Sequence, residues 1–327
     1  MRTKVGIPAS KIKQAINAVK ERKPDPVRQA SFIEQARLAK LRRKLGKQLK
    51  PLLTEAGLDL NKIDATLKSH QGEVHQWLKK DEAKIAKQFA RLAKQRQAGF
   101  DNTRRAIELI AFKPFLSTQI PVSTPFLISA TPAGILSDSQ VAAGNNLAKA
   151  AFSIGQNTPK LTTATVNFYF AWQNPSNFLA VINCSADLIT NGLCSASAIP
   201  GFLFGGTASM TVRAELTVFA GPFEISWQQD QTKDVASLTA HGGGIFGFGD
   251  VLSTTVSDTA HVSCNSIEVQ GDQLIVFDVA LSVDYSIDDG NVAIDFASGS
   301  QGIICPGVTV ELLSPPPDTA FTTNTAT

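Results

Sequence analysis

The sequence predicts an α+β multidomain protein: an N-terminal all-α helical bundle or short coiled-coil stalk, followed by a C-terminal antiparallel β-sandwich of jelly-roll type. Three observations predict it. Residues 1–112 carry 26 Lys and Arg against 11 Asp and Glu, a net of +15, whereas residues 113–327 carry 5 against 17, a net of −12. The spacing of apolar residues changes at the same place, from three-and-four to strict alternation. Beyond residue 112 lie 18 of the 23 glycines and 15 of the 19 phenylalanines. The expected division is therefore 1–112, a basic helical domain; 113–313, a low-charge acidic β-sandwich domain; and 314–327, a polar tail expected to be disordered.

In the first half, Ile12, Ile16 and Val19 share one helical face. Leu38, Leu41, Leu45, Leu49 and Leu52 form a stripe at spacings of three and four. Its helix starts at Asp25-Pro26, with Asp as cap and Pro in the first turn, or at a Ser31…Glu34 capping box. Pro51 is a potential kink, and Gly57 should stop it. Asn61 is expected to open a short helix, and Val74, Leu78, Ile85 and Leu92, widened by Trp77 and Phe89, make the longest stripe. Gln88, Arg96 and Asp81 interrupt the heptad seam, which favours a bundle or loose stalk over a long uniform coiled coil. The stripes make Leu38, Leu41, Leu45, Leu49, Val74, Leu78, Ile85 and Leu92 the candidate oligomerisation residues.

From Lys113 onward, alternating runs read as half-buried strands. Ala164, Val166, Phe168, Phe170 and Trp172 face one side and Thr165, Asn167 and Tyr169 the other. Met210, Val212, Ala214, Leu216 and Val218 alternate in the same way. Turn signals at Gln173-Asn174-Pro175, Asn191-Gly192, Gly205-Gly206, Gly221-Pro222, Gly271-Asp272 and Asp289-Gly290 divide the region into eight to ten strands. That count of short antiparallel strands fits a jelly roll. Only 22 of its 215 residues are charged, so Ser, Thr, Asn, Gln and Gly must supply the surface.

Cys184, Cys194, Cys264 and Cys305 are too sparse for a disulfide scaffold and have no zinc spacing, so they read as buried small thiols. With Asn191-Gly192 as a hairpin turn, Cys184 and Cys194 would face opposite sides of the sheet. Cys264 with Cys305 stays open as a pair. Gly242 to Gly247 matches G-x-G-x-x-G, and His241 ahead of it makes H-G-G-G. No helix pattern follows and no G-x-S-x-G exists in the chain, so this is a glycine-rich loop where backbones approach closely. His70, His75, His241 and His261 lack a second ligand at metal spacing. Asp288-Asp289-Gly290-Asn291 reads as a turn rather than a calcium loop, with Asp278, Asp284 and Asp295 as added ligands only if their faces converge. No catalytic residue, cofactor or metal site is expected.

The function expected is that of a non-enzymatic structural, assembly or recognition protein. The helical half oligomerises or docks, and the sandwich presents a surface to a protein or a glycan, with Tyr169, Trp172 and Trp227 as candidate sugar platforms. The alternative is nucleic-acid binding or packaging through Arg42, Arg43, Lys44 and Lys47. A membrane surface fits the pattern less well. The layout resembles that of an icosahedral capsid subunit, a basic segment ahead of a β-sandwich, and also that of a stalked fibre or lectin protomer. The start Met1-Arg2-Thr3-Lys4 carries no secretory pattern, and Pro114 to Leu136 is too rich in proline and hydroxyls for a spanning helix. Synthesis in the cytoplasm with leaderless export as an option is the expectation.

Overall fold

The computed structural model describes residues 8–21, 26–63, 65–66, 69, 119–156, 160–175, 179–200, 205–220, 228–243 and 249–313. Two helices come first, α1 (Ala9–Glu21) and α2 (Pro26–Glu55). Thirteen strand segments follow among the described residues: β1 (Gln119–Val122), β2 (Leu127–Thr131), β3 (Leu136–Gln140), β4 (Asn146–Gln156), β5 (Lys160–Gln173), β6 (Ala180–Ala198), β7 (Thr207–Ala220), β8 (Gln228–His241), β9 (Val251–Val269), β10 (Leu274–Asp288), β11 (Gly290–Asp295), β12 (Gly302–Cys305) and β13 (Val308–Leu313).

The segments collapse into eight rows. Against the 19-residue β6, strands β11, β12 and β13 lie end to end as one interrupted row, their partners running from Ala198 at Gly290 to Val181 at Leu313. Outside that row, β1 and β4 continue one another: Val122 pairs with Val308, Asn146 with Cys305 and Gln156 with Gly290. On its other side β6 pairs with β9. Numbering the rows along the chain, this sheet has the order first, eighth, third, sixth, with β3 added outside β4. The facing sheet is β5-β10-β7-β8, that is second, seventh, fourth, fifth, with β2 at its edge. Every pairing is antiparallel. Two four-row sheets in that order are the eight-stranded jelly roll.

The alternation expected for β5 and β7 holds. Val166, Phe168, Phe170, Trp172, Met210, Leu216 and Val218 all enter the core between the sheets. β10 departs from alternation because both its faces are buried from Leu274 to Val283. Its odd residues join the core, and its even residues Leu274 and Val276 join a second cluster with Tyr169, Ala171, Phe219 and Ala15 of α1. A strand covered on both faces reads as a continuous apolar run, which Leu274-Ile275-Val276-Phe277 is.

That second cluster overturns the helical bundle and the coiled-coil stalk. Among the described residues, α1 lays Ile12 and Ala15 on the outer face of the β5-β10-β7-β8 sheet instead of on another helix. Periodicity shows that a helix has an apolar face, but a sheet can cover that face as well as a second helix can. No described element of this chain covers the outer leucines of α2: Leu41, Leu45 and Leu52 are 47%, 50% and 58% exposed.

Local signals fared unevenly. α2 begins at Pro26 and runs through Pro51 to Glu55. It ends in a Schellman motif, with Leu58 N–H donating to the Leu53 carbonyl, Gly57 N–H to that of Thr54, and Gly57 at φ +87°. The next helical turn is capped by Asp59, whose carboxylate accepts from Lys62 N–H at 3.0 Å, and not by Asn61. Asn191-Gly192 is no turn but the middle of β6. A Cβ at Gly192 would overlap the Phe296 ring and stand 2.6 Å from the Asp295 carbonyl, so this glycine is a seat for an aromatic ring.

Candidate functional site

Helical arithmetic on α2 sorts its side chains into two rows. At 100° per residue, Arg37, Lys40, Lys44 and Lys47 fall within one stripe, flanked by Lys50, while Leu41, Leu45, Leu49 and Leu52 fall about 120° away. Lys40, Lys44, Lys47 and Lys50 are exposed and make no ion pair with a described residue. Of the four cations expected to meet nucleic acid, Lys44 and Lys47 share the ridge, and the side chains of Arg42 and Arg43 lie outside the described residues. The spacing Arg37-Lys40-Lys44-Lys47 (+3, +4, +3) is the signal that identifies the better set. Leu49 is half-buried, and Val74, Leu78, Ile85 and Leu92 lie outside the described residues.

The face that receives the helices is acidic. Rows across β5, β10, β7 and β8 place Asn167, Asp278, Asp284, Arg213, Glu215 and Asp234 on the outer side of the sheet. Asn167 donates its amide to Asp278 at 2.9 Å in a buried pair. Arg213 bridges two carboxylates, Asp234 at 2.8 Å and Asp284 at 2.5 Å, and Thr163 donates to Asp284 at 2.6 Å. One arginine among four carboxylates leaves this face negative. A basic helical segment therefore packs on an acidic sheet face, α1 on β10 and α2 on β5.

The opposite sheet presents a different surface. Along β9, Ser253, Thr255, Ser257, Thr259, His261 and Ser263 point outward in one file, opposite Ser195, Leu193, Asn191, Ile189, Asp187 and Ser185 of β6. His261 Nδ1 meets Asp187 at 2.8 Å, both exposed. The short hydroxyl side chains lose little rotamer freedom when covered.

Tyr169 and Trp172 are buried, Tyr169 beneath α1 and Trp172 between the sheets, so neither offers a platform to a sugar. Trp227, His70 and His75 lie outside the described residues. Asp278 and Asp284 belong to one sheet and Asp295 to the other, so the three do not converge. Among the described residues no cluster of three or more metal-ligating side chains forms. Of the glycine-rich loop, residues 244–247 lie outside the described residues; at its start Gly242 N–H donates to the Gly206 carbonyl at 2.7 Å, and a Cβ at Gly205 would overlap the Gly242 carbonyl. No helix among the described residues is long and apolar enough to cross a membrane.

All four cysteines are buried, and none is in a disulfide. Cys194 and Cys184 share the inward face of β6, ten residues apart, and Cys305 stands opposite Asn146. Cys264 faces Cys184 and not Cys305. Burial pushes the Cys194 thiol up to about 12.

No protein-family model and no curated protein matches the chain. Among solved structures, TmCBM61 in complex with β-1,4-galactotriose aligns with 50% of this chain and 80% of its own, at 9% identity and a TM-score of 0.18. The infectious bursal disease virus Gx strain structure aligns with 53% of this chain and 40% of its own, at 9% identity and a TM-score of 0.15. For the Gt strain the values are 53%, 42%, 15% and 0.13. This chain spans about two fifths of the viral chains. These scores assign neither fold nor function, and the jelly roll rests on the strand order alone.

Proposed function

We propose that the chain is a non-enzymatic assembly protein whose jelly-roll body packs against copies of itself and whose basic N-terminal segment binds nucleic acid. The observation that carries this reading is the exposed ridge Lys40-Lys44-Lys47 on α2, flanked by the exposed Lys50, in a segment of net +15 joined to a body of net −12. An acidic body repels phosphate and confines it to the ridge, where each cation that meets a phosphate releases a counterion. Jelly rolls serve capsid and lectin domains alike, so the fold does not choose between them. The burial of Tyr169 and Trp172 weighs against a glycan platform, and the hydroxyl-lined face of β6 and β9 suits contact between subunits, because covering Ser and Thr costs little side-chain entropy.

The test is mass and shape in solution at low and high salt, with absorbance checked for co-purifying nucleic acid. Assembly predicts a mass well above 34.9 kDa. Replacing Lys40, Lys44, Lys47 and Lys50 with Gln should flatten the slope of log affinity against log salt by about 3 on single strands, at roughly 0.7 per contact. A protein that is monomeric at every salt concentration and binds neither DNA nor RNA at low ionic strength would overturn the reading.

A further inference from the structure

Cys184 and Cys264 are direct register partners across the β6–β9 ladder, and both side chains point into the core between the sheets. The Cys184 thiol is hydrogen-bonded to the Cys264 side chain, and Cys264 in turn donates to the Leu216 carbonyl at 3.8 Å. Directly opposed residues of an antiparallel ladder have Cα atoms about 4.5–5.5 Å apart, inside the Cα range a disulfide spans. From this juxtaposition we propose that Cys184 and Cys264 are a modification site: a thiol pair that closes to a cross-strand disulfide when the protein meets an oxidising environment.

The step is a thiol–disulfide exchange with a low-molecular-weight disulfide as oxidant. One protein thiolate attacks it, releasing one small thiol and leaving a mixed disulfide. The second protein thiolate then displaces the other small thiol. Two protein thiols lose two electrons and two protons, and the small disulfide is reduced to two thiols.

In the closed sandwich the hydrogen bond to Cys264, together with burial, pushes the Cys184 thiol well above its ordinary range, so the nucleophile forms only when the ladder opens. β9 is the row that can open. It is the outermost row of its sheet, its ladder slips register between Ile182 and Cys184, and Ser266, two residues beyond Cys264, has a left-handed φ of +57°. Cys194 and Cys305 have no cysteine opposite them and serve as internal controls. The bond would tie β9 to β6 across an 81-residue loop, whichever function the body serves.

The full chain is incubated with oxidised glutathione, and in parallel refolded in a glutathione redox buffer. Free thiols are then alkylated and the digest is read by mass spectrometry. The expected result is a linked peptide joining Cys184 to Cys264, two alkylated thiols at Cys194 and Cys305, and a melting temperature raised by about 5–10 °C that dithiothreitol reverses. Cys264→Ala, a small apolar replacement, should abolish the linked peptide and the rise together. Absence of the Cys184–Cys264 peptide from both the native and the refolded samples overturns the proposal. So does stable glutathione on either cysteine, or a link that joins Cys194 or Cys305 instead.

Discussion

The jelly-roll body and the helical segment ahead of it are stabilised in opposite ways. In the body, most rows are held by a neighbour on each side and by a facing sheet, so one displaced backbone disturbs several chain crossings at once. Among the described residues of the helical segment, α1 rests on the sheet through Ile12 and Ala15, and α2 leaves Leu41, Leu45 and Leu52 exposed. The difference teaches where redundancy lies. A pleated row specifies its partners through register, whereas an apolar helix stripe accepts any apolar surface that arrives.

The sharpest way to break this comparison is at the loop apex of the body. Gly205→Ala would drive a methyl group into the Gly242 backbone, and a backbone pinned by its own hydrogen bonds cannot step aside. We expect a loss of about 2–3 kcal/mol, read as a lower urea midpoint at unchanged m-value. Gly134→Ala meets nothing within 4 Å and should stay within about 0.5 kcal/mol. Equal effects at the two sites would remove the distinction between pinned and free glycines.

A middle-sized effect is expected at α1. Ala15→Asp puts a carboxylate against Tyr169 and Leu274, and the helix should leave the sheet rather than bury the charge. Docking through Ile12 and Ala15 is worth roughly 2–4 kcal/mol, so protease cleavage within residues 8–21 should speed up at least tenfold while the body keeps its strand signal in circular dichroism. Collapse of the whole fold would show α1 to be as integral as a strand row.

These two regions also differ in how far they could be read from the sequence. Phe168 and Leu216 declared their inward faces by alternation, and the turns at Gly271-Asp272 and Asp289-Gly290 are real, with Asp272 and Asp289 at φ +58° and +56°. Asn191-Gly192 misled because a glycine under an aromatic ring and a glycine in a tight turn look alike until Phe296, 104 residues away, is in place. The same error hid the Cys184–Cys264 pair, since the false turn gave Cys184 the wrong neighbour. On α2 the stripe of leucines was legible and its exposure was not, because sequence shows an apolar row without showing what covers it.

A small effect is expected at that row. Leu41→Gln and Leu45→Gln should each change the stability of the single chain by no more than about 0.5 kcal/mol, because each side chain is already half in water. A larger loss would mean that a second copy covers the row in solution, which sedimentation at two concentrations would reveal.

The smallest effect is a pH dependence inside the body. Burial opposes a charge on Asp295, but the Ser298 hydroxyl and the backbone N–H groups of Ala297, at 2.9 Å, and Ser298, at 3.0 Å, together hold its carboxyl below the ordinary carboxylate range. The turn they form launches Phe296 onto Gly192, so the charge and the aromatic seat are linked. A depressed folded-state value means that this contribution is present in full above the unfolded carboxylate value, near about 3.9, and fades as pH falls through the lower folded value. Asp295→Asn keeps an acceptor for both N–H groups but not the charge. It should therefore lower the urea midpoint slightly at pH 7 and converge with the parent as pH falls through the depressed folded-state value. Asp295→Ala removes the acceptor as well and should be worse at every pH. If the Asn and Ala variants lose the same amount throughout, the carboxylate acts through its charge alone, and the turn that seats Phe296 holds without it.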